Sequence, residues 1–188
     1  MNNLKISTRL IILIGSLSVL LLFIGPIGLF GISTANDALK TVYEDRAVPM
    51  GQIADINRMI LRNRLLIAGN LLNPVPEEIA KDTAEVDANI AAIGKVWADY
   101  MATTLTVEEA RIAKKFAEDR GEFVQEGLRP AVAALRGNDF EGATRVVFET
   151  VRPLSVPVKV VLDALMQLQV AVAKEVFTSA GARSDLFR

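Results

Sequence analysis

The chain has 188 residues, with 21 lysines and arginines against 22 aspartates and glutamates, and it contains no histidine and no cysteine. Without those two residue types it cannot form a Cys/His zinc site, a c-type haem attachment, a thiol nucleophile or a Ser-His-Asp triad. The sequence therefore predicts a protein that is not an enzyme and that holds neither a metal nor a cofactor. The net charge of −1 also argues against a nucleic-acid partner, which needs a clustered basic surface.

An uncharged stretch occupies residues 10–36, and its core at 10–32 is almost wholly apolar. A membrane-spanning helix needs about 20 apolar residues, whereas the apolar region of a signal peptide has about 7–15. We therefore predict an uncleaved transmembrane helix over 10–32. The small-residue triplet Ser33-Thr34-Ala35 leaves signal cleavage as the alternative.

The charges beside this span predict its orientation. Lys5 and Arg9 precede it, and the positive-inside rule then places residues 1–9 in the cytoplasm. The segment 33–180 lies outside, which in a bacterium is the periplasm, with the chain anchored in the inner membrane. Residues 181–188 form a short tail.

The first two predicted helices of the outer domain are separated by a pair of prolines. The first helix continues out of the membrane through Asn73, with an early kink at Pro49. The second starts at Pro76, where proline suits a first turn, and stops near residues 102–104. Apolar residues recur at helical spacing and predict one buried stripe on each helix, formed by Ile53, Ile56, Ile60, Ile67 and Leu71 and by Ile79, Val86, Ile90, Ile93, Trp97 and Met101.

The third helix begins with a predicted capping box between Thr106 and Glu109. Pro130 is expected to kink this helix, and Gly137 suits the position just past its end. Its apolar side consists of Ile112, Phe116, Phe123 and Leu128.

The fourth helix is predicted to begin at Asn138 or Asp139, and Asn138 with Glu141 has the spacing of a second capping box. Pro153 and Pro157 are expected to bend or interrupt it early. Beyond them apolar residues advance alternately by four and three, which is typical of a coiled-coil seam: Leu154, Val158, Val161, Leu165, Leu168 and Val172.

Short connections between these helices make neighbouring helices antiparallel. The predicted fold is all-α: an N-terminal transmembrane helix followed by an up-down-up-down four-helix bundle.

The densest polar cluster of the first helix contains Arg58, Arg62 and Arg64. Because the planar guanidinium binds carboxylates in bidentate fashion, one interpretation is an anion site at a helix or subunit interface. The alternative is a set of solvated arginines or partners for Asp55 and other acids. Arg152 lies at the predicted break in the fourth helix, where a ligand contact and a plain kink are both open.

A family resemblance rests on the apolar span together with the stretches MNNLKISTRL, ANDALKTVYEDRAVPMGQIADINRMILRNRLLIAGNLLNP, VWADYMATTLTVEEARIAKKFAEDR, FVQEGLRPAVAALR and VRPLSVPVKVVLDALMQLQ. Together they resemble the N-terminal part of bacterial methyl-accepting chemotaxis proteins. More narrowly, they are similar to the members with a four-helix-bundle sensor domain, the class of the aspartate and serine chemoreceptors. The resemblance covers the anchor and the sensor domain to about residue 175.

The resemblance implies a periplasmic sensor in which two subunits pack through their first helices and a small ligand binds between them. It implies ligand-binding roles for Arg58, Arg62 and Arg64 on the first helix, and for Thr150 and Arg152 at the start of the fourth. The implied partners are a small organic anion, such as a dicarboxylate or an acidic amino acid, and a second subunit. That subunit is either the same chain or a full-length receptor.

Members of that family continue into a second membrane span, a linker and a cytoplasmic coiled coil, which this sequence does not contain. We therefore expect a fragment, a truncated gene product or a stand-alone sensor that needs a full-length partner. The leading functional hypothesis is the ligand-binding sensor portion of a chemotaxis receptor. The alternative is an anchored helical bundle with a structural or interaction role and no small-molecule ligand.

Overall fold

A computed structural model describes residues 6–42 and 47–185, which form helices joined by short turns and contain no strand within those ranges. The chain divides into two compact units, Met1–Tyr43 and Glu44–Arg188. The predicted continuation of the membrane helix into the bundle falls on residues 43–46, which lie outside the described ranges.

The N-terminal unit contains one long helix, α1 (Ile6–Val42). Its segment Leu10–Ser33 has a mean hydropathy of 2.7, and side chains such as Leu21, Leu22 and Leu29 are largely exposed within the unit. A helix of this length and composition can cross a membrane, with its apolar surface against lipid. A second stretch, Phe140–Glu175, is also long and apolar enough, but its apolar residues contribute to the core of the other unit.

The second unit is the four-helix bundle that the sequence predicts. Each of its last two long helices has a π-helical turn within it, labelled π1 or π2. The elements are α2 (Val48–Leu72), α3 (Pro76–Met101), α4 (Val107–Glu122), π1 (Phe123–Leu128), α5 (Arg129–Arg136), α6 (Phe140–Val146), π2 (Val147–Val151) and α7 (Arg152–Asp185). We call the run α4–π1–α5 the third bundle helix and α6–π2–α7 the fourth.

The bundle helices pack in a ring in chain order. The first, α2, packs against α3 and α7; α5 packs against α3, and α4 against α7. One side of the bundle therefore lies between α2 and the fourth helix, and the opposite side lies between α3 and the third helix.

The predicted apolar stripes form the core. Phe116 and Tyr100 are fully buried, and the Trp97 ring stacks on Tyr100 with centroids 5.1 Å apart. Its centroid also lies 4.4 Å from that of Phe116. Met101, the last residue of α3, was expected in the buried stripe, but it is 42% exposed.

The capping predictions differ in outcome. The capping box of Thr106 and Glu109 is confirmed at the start of α4. The fourth helix is capped by Asp139, whose side chain accepts from the Gly142 N–H, so the predicted capping box of Asn138 is wrong. Asn138, rather than Gly137, adopts the left-handed conformation that is usual just past the end of a helix, with a φ of 57°.

The prolines of the third and fourth helices do not break them. One π-helical turn precedes Pro130 and another precedes Pro153, so that Arg129 N–H pairs with the Val124 carbonyl and Arg152 N–H with the Val147 carbonyl. This five-residue spacing takes up one extra residue in the turn while the helix continues. Pro157 lies inside α7, which continues through it. The fourth helix is therefore not interrupted at Pro153 or Pro157, and the bends expected at Pro130, Pro153 and Pro157 stay predictions.

Candidate ligand-binding site

A groove with a volume of about 210 Å³ lies between α2 and π2. Its polar side chains are Arg64 from α2 and Arg152 from the first position of α7. Both were candidates in the sequence, and folding brings them to the same groove although 88 positions separate them. The groove is small compared with drug-sized pockets of about 300–1,000 Å³, so it suits a compact ligand.

Both charged side chains that line the groove are cationic. No acidic side chain occurs among its described lining residues. Arg64 is half-buried and Arg152 is exposed, and neither forms an ion pair with a described carboxylate. Two guanidinium groups that lack a counter-ion in the described part of the chain can attract a carboxylate, which each can bind through two parallel hydrogen bonds.

Arg58 and Arg62, the other two arginines of the cluster, face acids of the bundle. Arg58 pairs with Asp55 at 3.1 Å on the same helix. Arg62 donates two hydrogen bonds, of 2.7 and 3.1 Å, to Glu85 on α3. These bonds raise the pKa of Arg62 and lower that of Glu85. Arg58 and Arg62 are therefore partners of nearby acids, as the alternative interpretation of the arginine cluster expected.

Thr150, the remaining candidate, is half-buried on π2 and does not line the groove. Neighbouring residues of the same turn do so: Val147, Phe148 and Val151. The fourth-helix side of the groove is thus built by the π turn together with Arg152.

The rim of the groove is apolar, which the sequence analysis missed. Leu61, Leu65 and Phe148 line it and are 52%, 58% and 60% exposed. The sequence does indicate this rim, because Leu61 and Leu65 are four residues apart and fall outside the core stripe of α2. Apolar side chains on an outward face mark an interaction surface.

Pro153 leaves a hydrogen-bond acceptor near the groove without its usual donor. It has no backbone N–H, so the carbonyl that would pair with it, at Phe148 or Glu149, lacks that donor. Among the described residues there is no cluster of His, Cys, Asp or Glu that could hold a metal ion.

Comparison with known proteins yields a family match. The family model described as TarH, the Tar ligand binding domain homologue, matches residues 1–173. Searches of curated proteins and of solved structures each return no match.

Proposed function

Because the chain belongs to the family of Tar ligand-binding domain homologues, the sensor domains of chemotaxis receptors, we propose that it binds a small organic acid or an acidic amino acid. The family and the apolar α1 together indicate a membrane-anchored periplasmic domain. In the topology we propose, residues 1–9 are cytoplasmic, 10–32 span the inner membrane and 33–180 form the periplasmic sensor.

One observation carries the ligand proposal: Arg64 and Arg152 share a groove with no acidic side chain among its described lining residues. A carboxylate bridging the two arginines joins α2 to the fourth helix.

The partner that completes the site is a second subunit. Arg58, Leu61 and Leu65 follow one another at steps of three and four and so lie on one face of α2. Self-association through this face buries the exposed leucines and brings the Arg58 of one copy towards the groove of the other. A full-length receptor that presents the same face would form a mixed dimer.

Signalling by such a sensor requires different ligand affinities in two arrangements of the bundle. The ligand contacts α2 on one side and the π2–α7 junction on the other. The arrangement that holds both arginines at carboxylate distance is stabilised, and α7 transmits the difference along its length.

Ligand binding is tested by thermal denaturation of the full chain in detergent with L-aspartate, L-glutamate, succinate and malate. We expect at least one acid to raise the Tm of the wild type, and the Arg64→Gln/Arg152→Gln variant to lose that shift. Arg111→Gln, which removes an exposed arginine at the other end of the bundle, is the matched control and should respond as the wild type does. No Tm rise with any of these acids would favour the alternative, a structural bundle without a ligand.

The dimer is tested by oxidative cross-linking, since the chain has no cysteine of its own. Leu61→Cys and Leu65→Cys, each alone, should yield a disulfide-linked dimer, while Lys95→Cys on α3 should stay monomeric. Equal cross-linking of all three variants would refute an interface on this face of α2.

A further inference from the structure

A second groove lies on the opposite side of the bundle, between α3 and α5, and has a volume of about 470 Å³. Its floor is apolar: Ile90 is half-buried and Val132 is buried. The groove is open because the neighbouring positions carry only the methyl groups of Ala91 and Ala133, which leave space between the two helices.

The charges in this groove leave one cation without a protein partner. Arg136 is occupied, since it bonds to Asp87 at 2.7 Å and to the Thr83 hydroxyl at 3.0 Å. Arg129 lies seven residues before Arg136, on the same face of the helix, and is exposed; it forms no ion pair with any described residue. The two arginines and one aspartate give the groove a net charge of +1.

A third arginine, Arg120, lies further along α3 on the same side of the bundle. Gly94, about one turn beyond Ala91, lies beside the Arg120 side chain, whose Nη2 would stand 3.7 Å from a Cβ at that glycine. The Nη1 of Arg120 is buried with no hydrogen-bond partner among the described residues. Burial lowers the pKa of this guanidinium. The third helix thus places three arginines along α3: Arg120, Arg129 and Arg136. Asp87 pairs with one of them, Arg136.

We propose that the groove between α3 and α5 is a second ligand site, separate from the groove at α2, and that it takes a small monocarboxylate with an apolar tail. The carboxylate binds Arg129, the cation without a partner. The tail lies on Ile90 and Val132 between the two alanines. A single negative charge matches the net charge of the groove, and a dicarboxylate would place its second carboxylate beside Asp87, which disfavours it.

The probe is valerate, with succinate and inorganic sulfate as comparisons, titrated into the full chain in detergent by isothermal calorimetry. We expect valerate to bind with one site per chain and to bind more tightly than either comparison anion. Arg129→Gln should weaken valerate binding by about ten-fold or more, the usual effect of losing a charge-assisted hydrogen bond. Ala91→Leu, a substitution at an exposed position, should block binding by filling the groove while Arg129 remains in place.

Two control variants separate binding in this groove from binding elsewhere on the bundle. Arg145→Gln, which removes an exposed arginine outside the groove, should leave valerate binding unchanged. Arg64→Gln should also leave it unchanged, so failure at one groove does not imply failure at the other. The proposal is overturned if valerate does not bind, if sulfate binds as tightly as valerate, or if Ala91→Leu retains wild-type affinity with an unchanged Tm.

Discussion

A buried polar contact ties α7 to the turn between α3 and α4, and its removal should measurably destabilise the bundle. Gln169 on α7 is 1% exposed and donates a hydrogen bond of 2.5 Å to the Glu109 carboxylate, which is also 1% exposed. The other oxygen of that carboxylate accepts from the Thr106 N–H at 2.6 Å. The Tyr100 hydroxyl lies 3.4 Å from the same Gln169 nitrogen.

Gln169→Leu keeps much of the side-chain volume and removes the donor. A hydrogen bond to a charged group contributes about 1.5–3 kcal/mol, and the remaining carboxylate stays buried with one donor fewer. For a chain of this size about 1 kcal/mol corresponds to roughly 2–4 °C in Tm. The expected decrease in Tm is therefore about 3–12 °C.

The assay is thermal denaturation followed by circular dichroism, on the full chain in detergent. Gln167→Leu is the matched control, because Gln167 is exposed on the same helix, and its effect should stay within about 0.5 kcal/mol. Glu109→Leu combined with Gln169→Leu should destabilise by less than the sum of the single variants, because both remove the same contact. Equal stability of Gln169→Leu and the wild type would refute this reasoning.

Three further predictions concern the core, the π turns and the acid response. Phe116→Ala removes a fully buried ring beside a tryptophan and should cost about 3–5 kcal/mol in denaturant unfolding; a cost below about 1 kcal/mol would contradict the core described above. Deletion of Gln125 within π1 should convert that turn to α-helix and lower the Tm only slightly. Deletion of Ala117 in α4 should lower the Tm far more, because it rotates the core residues that follow by about 100°. Equal losses of Tm in the two variants would contradict this. Arg62 lowers the pKa of Glu85, so the pair adds stability above pH 4.5, the usual pKa of Glu, and loses it as the pH falls through the lowered value. Tm measured against pH should therefore fall more steeply below pH 4.5 for the wild type than for Arg62→Gln, and parallel curves would show that the pair does not contribute.

The sequence predicts the fold well where the determinants are local. The prolines before α3 and the capping box of Thr106 act within one turn of helix, and they place those helix starts correctly. The apolar stripes predict the core because burial follows helical periodicity. The prediction is wrong at Met101, the last residue of α3, because periodicity does not show which neighbours cover a residue at a helix end.

The π turns could not be predicted from the prolines that follow them. Proline removes one N–H, but the sequence does not show whether the chain then bends or takes an extra residue into the turn. Here the two π turns lie side by side: a Cβ at Gly127 in π1 would stand 3.4 Å from a Val151 side-chain carbon in π2. Such tertiary contacts between distant segments stabilise one outcome over the other.

The sequence supplied the candidate arginines but did not show which of them line the groove. The cluster on the first helix indicated an anion site, but Arg62 is engaged by Glu85 on α3, a contact between helices that sequence spacing does not reveal. Arg64 faces the groove because of its position on α2 relative to π2. The groove at Arg129 was missed for the same reason, since Ala91 and Ala133 create it only once two helices pack together.

The central claim is that Arg64 and Arg152 bind a carboxylate ligand between α2 and the fourth helix. It is tested most directly by calorimetric titration of the full chain with the acid that gives the largest Tm shift, comparing the wild type with Arg64→Gln and Arg152→Gln. The account predicts that each substitution weakens binding by about ten-fold or more, while Arg111→Gln binds as the wild type does. Wild-type affinity in both groove variants would contradict it.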